Sequence, residues 1–163
     1  MDKDSYTRRE LGEALLRLLD QKGLAEISVS ELCAAACVSR SSFYRSFDGM
    51  EDILRARIRR LSEDWDAAHT VRPADGQEAL AVMFDHFRFY ADFYGLLYRR
   101  GLLPLIKDVL TEKLGPRPEH PNRLAYTLAF VCSGIYGWIE EWFRRGMAES
   151  AAEMAALLKE KLE

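Results

Sequence analysis

A chain of 163 residues with 48% hydrophobic and 30% charged side chains has the composition of a globular protein, not of a disordered or fibrous one. No apolar run approaches the roughly 20 residues that span a bilayer, and the opening stretch MDKDSYTRRELGEAL is charged throughout with no signal-peptide core, so a cytoplasmic location and no membrane partner are expected. The net charge of −3 is unevenly spread: residues 1–60 hold 11 basic against 10 acidic side chains, and residues 61–163 hold 12 against 16.

No stretch alternates with period two for long enough to make a strand, and no repeat or low-complexity tract appears. Apolar residues recur at three- and four-residue spacing almost throughout, which predicts an all-α chain. The first helix is expected from about Ser5 to Lys22, with Leu11, Leu15, Leu18 and Leu19 on one face and Gly23 as its stop. Ser28-Val29-Ser30-Glu31 reads as a capping box, the Ser28 hydroxyl serving the Glu31 amide and the Glu31 carboxylate serving that of Ser28. The second helix it opens is short and ends near Ala36. Ser39 is a good N-cap for a third, over about Arg40 to Ser46. Asp48 and Glu51 are expected to cap a long fourth helix to about Ala68, with Ile53, Leu54, Ile58, Leu61 and Trp65 inward. Residues 38–60 carry six arginines (40, 45, 55, 57, 59 and 60) against Asp48, Glu51 and Asp52, a locally basic strip on an acidic protein. By itself such a strip is as compatible with a solvated face as with a binding surface.

Val71 to Gly76 (VRPADG) is the first linker signal. The domain boundary is placed along the fourth helix, giving a head of residues 1–48 and a C-terminal domain of residues 49–163 in which 49–68 is the connector. Further helices are expected at about Gln77–Phe89, Asp92–Arg99 and Leu103–Leu114. Gly115 to Pro121, with three prolines, must be a loop. Two helices follow, about Asn122–Arg145 and Ser150–Leu162, hinged at Gly146.

Two short helices separated by three or four residues, after a longer one, make a helix-turn-helix unit. Its second helix would present its leading end to a DNA major groove. The other reading is an ordinary three-helix corner with no ligand, and the residue types favour the first. Ser39, Arg40, Ser41 and Ser42 can donate to phosphates and base edges with no bulky apolar side chain in the way. Tyr44 and Arg45 follow one turn later, within reach of backbone phosphates, and Ser28 leads the preceding helix. These seven residues are the expected DNA contacts.

The stretch ISVSELCAAACVSRSSFYRSFDGMEDIL, residues 27–54, resembles the TetR family of transcriptional regulators. Ser28, Leu32, Ala36, Val38, Ser39, Tyr44, Phe47, Glu51 and Leu54 stand where the family's pattern expects them. Residues 130–158, FVCSGIYGWIEEWFRRGMAESAAEMAALL, resemble the closing helix pair of one subgroup. The resemblance implies an all-helical homodimer. Its head would bind a near-palindromic double-stranded operator, and its C-terminal bundle would dimerise and often take a small ligand. Two positions depart from the pattern. Cys37 replaces the usual turn glycine, at about 1 kcal/mol if φ there is positive. Asp48-Gly49-Met50 replaces a phosphate-touching lysine, which weakens non-specific attraction.

Phe84, Phe87, Tyr90, Phe93, Tyr94 and Tyr98 crowd the fifth and sixth helices. Such stripes are either core or the wall of a pocket between helices. The pocket reading takes Trp65, Phe84, Phe87, Tyr90 and Tyr94 as walls for a small apolar or aromatic effector, with His86 or Tyr126 as the polar contact. His86 reads equally as a surface or satisfied core histidine. The helix from Asn122 carries one apolar stripe of Leu124, Leu128, Val131, Ile135, Ile139 and Trp142, and another of Tyr126, Phe130, Ser133, Gly134 and Gly137. A helix apolar nearly all round must be covered on both sides. The final helix adds Ala151, Met154, Leu157, Leu158 and Leu162. Two helices from each of two copies would close a four-helix interface, with Phe130, Gly134, Gly137, Met154 and Leu158 in it.

Enzymatic readings find no support: the chain has no phosphate-binding glycine loop, no HExxH and no GxSxG elbow. Cys33, Cys37 and Cys132 lack the partners of a zinc site, and His69, His86 and His120 are not spaced to share a metal. No cofactor and no metal is expected. The leading expectation is a dimeric, ligand-released DNA-binding regulator, a repressor. Its rival is a coregulator of the same fold that binds a partner protein, favoured by Cys37, Asp48 and Met50.

Overall fold

The structure is a computed structural model that describes residues 3–68 and 75–162. Among these the chain is all helical: α1 (Lys3–Gln21), α2 (Val29–Ala35), α3 (Arg40–Ser46), α4 (Met50–Ala68), α5 (Gly76–Phe89), α6 (Ala91–Arg99), α7 (Pro104–Leu114), α8 (Asn122–Arg144) and α9 (Ala151–Leu162). No described helix is long and apolar enough to cross a membrane. The expected linker 71–74, His69 and the side chains of Leu158 and Leu162 lie outside what is described.

Helix α1 packs against α2, α3 and α4, with Leu11, Leu15 and Leu19 buried against Leu32, Phe43, Ile53 and Leu54 in one hydrophobic cluster. Its ending differs from the glycine stop expected. Gly23 is extended (φ −70°, ψ 155°) and its amide donates to Glu26 Oε2 at 2.7 Å, opening a single 3-10 turn over Leu24–Glu26. The signals that do end helices in the left-handed region lie elsewhere, at Cys37, Gly101 and Gly146. Each is followed by the same two bonds. At α8, the Gly146 amide donates to Phe143 O and that of Met147 to Trp142 O at 2.8 Å; Gly101 and Leu102 repeat this on Tyr98 and Leu97. This is the Schellman cap, which satisfies carbonyls that the helix leaves open.

In the C-terminal half α5 packs on α9 and α7 on α8, and α4 lies along α7. Phe84, Phe87, Tyr94, Trp142 and Phe143 form the aromatic part of the core, with Ile139 buried in the same cluster. Arg88 ties the α8–α9 turn down: its Nη2 donates to the carbonyls of Met147 (2.7 Å) and Glu149 (2.6 Å), and its guanidinium lies over the Trp142 ring at 5.3 Å. The head is joined to this half by a second arginine. Arg100, at the end of α6, donates to the carbonyls of Leu19 (2.5 Å) and Asp20 (2.7 Å), the open acceptors in the last turn of α1.

Candidate nucleic-acid interface and interior cavity

The recognition unit is set by backbone caps. Ser28 Oγ accepts from the Glu31 amide at 3.1 Å, as the capping box requires, but the Glu31 carboxylate turns to Lys22 Nζ at 2.7 and 2.8 Å. That ammonium holds the Glu31 carboxyl below its ordinary range. The box is therefore half formed, because an ammonium is a stronger partner for a carboxylate than a neutral amide. Helix α2 closes with the Cys37 amide on Ala34 O (3.2 Å) and the Val38 amide on Cys33 O (3.0 Å), with Cys37 at φ +53°. Cys37 thus occupies the left-handed position that a glycine takes in the other two caps.

Ser39 then caps α3, its hydroxyl accepting from the Ser42 amide at 3.1 Å and lying 3.0 and 2.9 Å from the hydroxyls of Ser41 and Ser42. The trailing side is fixed by Phe43, Ser46 and Phe47, all buried. What remains exposed is the leading face: Ser39, Arg40, Ser41, Tyr44 and Arg45, with Ser28 also at the surface and Ser42 half-buried. Tyr44 stands edge-on to Phe43 with ring centroids 5.0 Å apart. The residues expected to meet DNA are brought to one end of one short helix, apart from Ser28, which starts the helix before it.

The basic strip expected on residues 38–60 is not one surface. Arg55 pairs with Glu51 (2.8 Å), Asp52 (2.9 Å) and Asp108 (3.0 Å), and Arg59 forms a fork on Glu112 at 2.7 and 2.8 Å. Arg57 lies 3.5 Å from Glu13 and Arg60 3.7 Å from Asp64. Only the periodicity of α4 could have separated Arg55 and Arg59 from Arg40 and Arg45, since their acidic partners on α7, Asp108 and Glu112, are about fifty positions away. With Lys113 on Asp66 and Ser62, the pairs of Arg55 and Arg59 form a ladder between α4 and α7.

Beside that ladder lies a cavity of about 550 Å³ in the size range of small-molecule sites. Its walls are Ile58 and Trp65 of α4, Leu80, Met83, His86 and Phe87 of α5, Tyr94 of α6, Ile106, Val109 and Leu110 of α7, and Ile135 of α8. Of the expected walls, Trp65, His86, Phe87 and Tyr94 line it. Three residues do not. Phe84 faces the core, edge-on to Trp142 at 5.2 Å. Tyr90 touches Trp65 and His86 from behind, at 6.3 and 5.1 Å. Tyr126 is 76% exposed on α8. The aliphatic side chains of α7 were missed, because their spacing is that of any buried stripe.

His86 is 7% exposed, and its Nε2 lies 2.7 Å from the Tyr94 hydroxyl. Burial drives the imidazole down to about 4, with Asp66 opposing and Lys113 assisting, so the ring is neutral at pH 7. The same burial pushes the Tyr94 phenol up, and it stays protonated.

Helix α8 is divided along its length. Cys132, Ile139, Trp142 and Phe143 are buried, whereas Leu124, Tyr126, Phe130 and Val131 are exposed, Phe130 by 74%. Leu124 and Val131 belong to the same stripe as the buried Ile139 and Trp142, yet they are exposed among the described residues. Gly134 and Gly137 are exposed, and a Cβ added at either would meet nothing within 4 Å. Met154, expected on the outer face, is 5% exposed and belongs to the chain's own core, where α9 packs on α5.

The family profile described as bacterial regulatory proteins of the tetR family matches residues 11–56. A second profile, described as a transcriptional regulator C-terminal region, matches residues 75–163. Among curated proteins, the HTH-type transcriptional regulator EthR of Mycolicibacterium smegmatis is 40% identical over 68 residues, which span 39% of this chain and 31% of EthR. A tetR-family transcriptional regulator from Streptomyces coelicolor superposes with a TM-score of 0.51 at 23% identity, over 97% of this chain and 78% of its own. The dihydroxyacetone kinase operon activator DhaS does so with a TM-score of 0.51 at 18% identity, over 96% and 93%. At those identities the likeness to the solved structures is one of fold.

Proposed function

The chain belongs to the TetR family of bacterial transcriptional regulators, and from that premise we propose that it works as a homodimeric repressor that a small, largely apolar effector releases from its operator. The observation that carries this reading is the leading face of α3. There Arg40, Ser41, Tyr44 and Arg45 stand exposed on a helix whose other side is anchored by Phe43 and Phe47. Two such helices, one per copy, would enter successive major grooves about 34–36 Å apart and read a near-palindrome. Arg40 and Ser41 would meet base edges, and Tyr44 and Arg45 backbone phosphates. The domain division follows the same logic: residues 1–48 form the head, and 49–163 the effector and dimer part, with α4 as the connector.

The second copy would lie on the outer face of α8. Phe130, Gly134 and Gly137 are free there, and small residues let two helices approach closely. An effector in the cavity touches Ile58 and Trp65 of α4 directly. Its entry biases α4 against α7, across the Arg55–Asp108 and Arg59–Glu112 pairs, and so alters the separation of the two heads. Because linkage is reciprocal, operator DNA must weaken effector binding as much as effector weakens DNA binding.

The test is an electrophoretic shift against the DNA upstream of the gene, repeated over a salt series. A shift at low salt whose log affinity falls linearly with log salt is the expected result. A second reading, a coregulator that binds a protein, is favoured by the internal pairing of Arg55, Arg57, Arg59 and Arg60, which leaves α4 little positive charge for DNA. No shift from a folded dimer would select it.

A further inference from the structure

Tyr94 is fully buried, and its hydroxyl has one hydrogen-bond partner, His86 Nε2. His86 Nδ1 is buried as well and has none. A neutral imidazole carries one proton, so two arrangements are available. If Nε2–H donates to the Tyr94 oxygen, the tyrosine's own proton is left without an acceptor and the Nδ1 lone pair without a donor. If Tyr94 O–H donates to Nε2, the imidazole proton sits on Nδ1 and is the single unsatisfied donor of the pair. The second arrangement leaves fewer buried groups unpaired, and an unpaired buried polar group is destabilising. Tyr94 therefore fixes His86 as a donor through Nδ1.

Burial holds the ring neutral, and Lys113, the cation at the cavity wall, is already engaged by Asp66 and Ser62. Among the described residues that line the cavity, a buried anionic group would find no uncommitted countercharge, and burying an uncompensated charge is costly. The imidazole is enclosed by the rings of Trp65, Phe87, Tyr90 and Tyr94. Trp65 and Tyr90 are the half-buried members of that enclosure; of the two, Trp65 lines the cavity and stands on the connector helix. Reaching Nδ1 thus requires the Trp65 ring to swing.

We propose that the cavity selects an uncharged, mainly apolar molecule bearing a carbonyl-type hydrogen-bond acceptor, which takes the Nδ1–H of His86 and displaces Trp65 of α4. This rests on the cavity being the effector site and names the chemistry that site selects.

The probes are benzophenone and diphenylmethane, which share a shape and differ in the acceptor, with 4-benzoylbenzoate as the anionic counterpart. In the wild-type chain labelled with ¹⁵N-histidine, the free protein should show the Nδ1–H tautomer at His86, and benzophenone should shift that nitrogen. Benzophenone should bind about threefold to tenfold more tightly than diphenylmethane, the range of one net hydrogen bond. The ratio should fall to about one in His86→Phe. Equal affinities in the wild type overturn the acceptor proposal while leaving the cavity as a site. Tighter binding of 4-benzoylbenzoate than of benzophenone overturns the neutral class, and an Nε2–H tautomer overturns the donor assignment without needing a variant to fold. Binding of none of the three overturns both this inference and the effector reading of the cavity.

Discussion

Helices α3 and α8 are built alike and finished differently. Each has a buried trailing part that anchors it, Phe43 in one and Ile139, Trp142 and Phe143 in the other, and each leaves its leading part outside the fold. On α3 the exposed part is Arg40, Ser41, Tyr44 and Arg45; on α8 it is Leu124, Tyr126, Phe130 and Val131. A helix end that shows hydroxyls and guanidinium groups is suited to a hydrated, negatively charged groove. One that shows aromatic and branched apolar side chains gains free energy only by being covered with more apolar surface. The same architectural device therefore presents two chemistries, one hydrophilic and cationic, as the proposed DNA contact requires, and one apolar, as the proposed contact with a second copy requires.

The sharpest way to break the comparison is to remove an anchor. Phe43→Ala and Trp142→Ala each empty a fully buried site and should cost about 3–5 kcal/mol of unfolding free energy by denaturant titration. If either costs below about 1 kcal/mol, that helix is not held as described. Next comes the apolar face. Phe130→Asp should weaken dimerisation by at least about 2 kcal/mol, the loss of a central aromatic contact, with the melting temperature of the isolated monomer little changed. Gly137→Leu should act in the same direction by about 1–3 kcal/mol, because within one chain a Cβ added there meets nothing within 4 Å. Sedimentation at micromolar concentration measures both. An undisturbed dimer would move the interface off α8.

On the polar side, Arg40→Ala should lower operator affinity by about 1–3 kcal/mol and relax sequence preference if the guanidinium reads a base. If it touches phosphate alone, all sequences should weaken together and the salt slope should drop by about 1. Unchanged affinity removes Arg40 from the interface. The smallest effect belongs to the turn before it. Cys37→Gly relieves a non-glycine left-handed residue (φ +53°) and should raise thermal stability by about 1 kcal/mol. Loss of stability on that change would mean that the cysteine side chain contributes more than its backbone costs.

Helix α3 matched its expected bounds, and the others fell within one or two residues of theirs. What fixed them is local: Ser28 and Ser39 accept from amides three residues on, and a left-handed residue closes α2, α6 and α8. The leading face of α3 was legible for the same reason, since seven residues between a cap and Phe47 leave little freedom in what points outward. The cavity was legible only in part. Trp65, His86, Phe87 and Tyr94 could be suspected as aromatics at helical spacing, but nothing in that spacing separates Phe87, which lines the cavity, from Phe84, which packs on Trp142.

The sequence by itself determined the order and type of the elements, the head's turn and the family, because caps, breaks and apolar periods act over three to seven residues. The tertiary structure decided which way each helix is rotated about its own axis. That rotation put Met154 inside and Tyr126 outside, engaged Arg55 and Arg59 with acids on α7, and brought His86 to Tyr94. Such choices depend on contacts between positions tens of residues apart. Many side chains of one stripe have equal claim to those contacts until the neighbouring helices are in place.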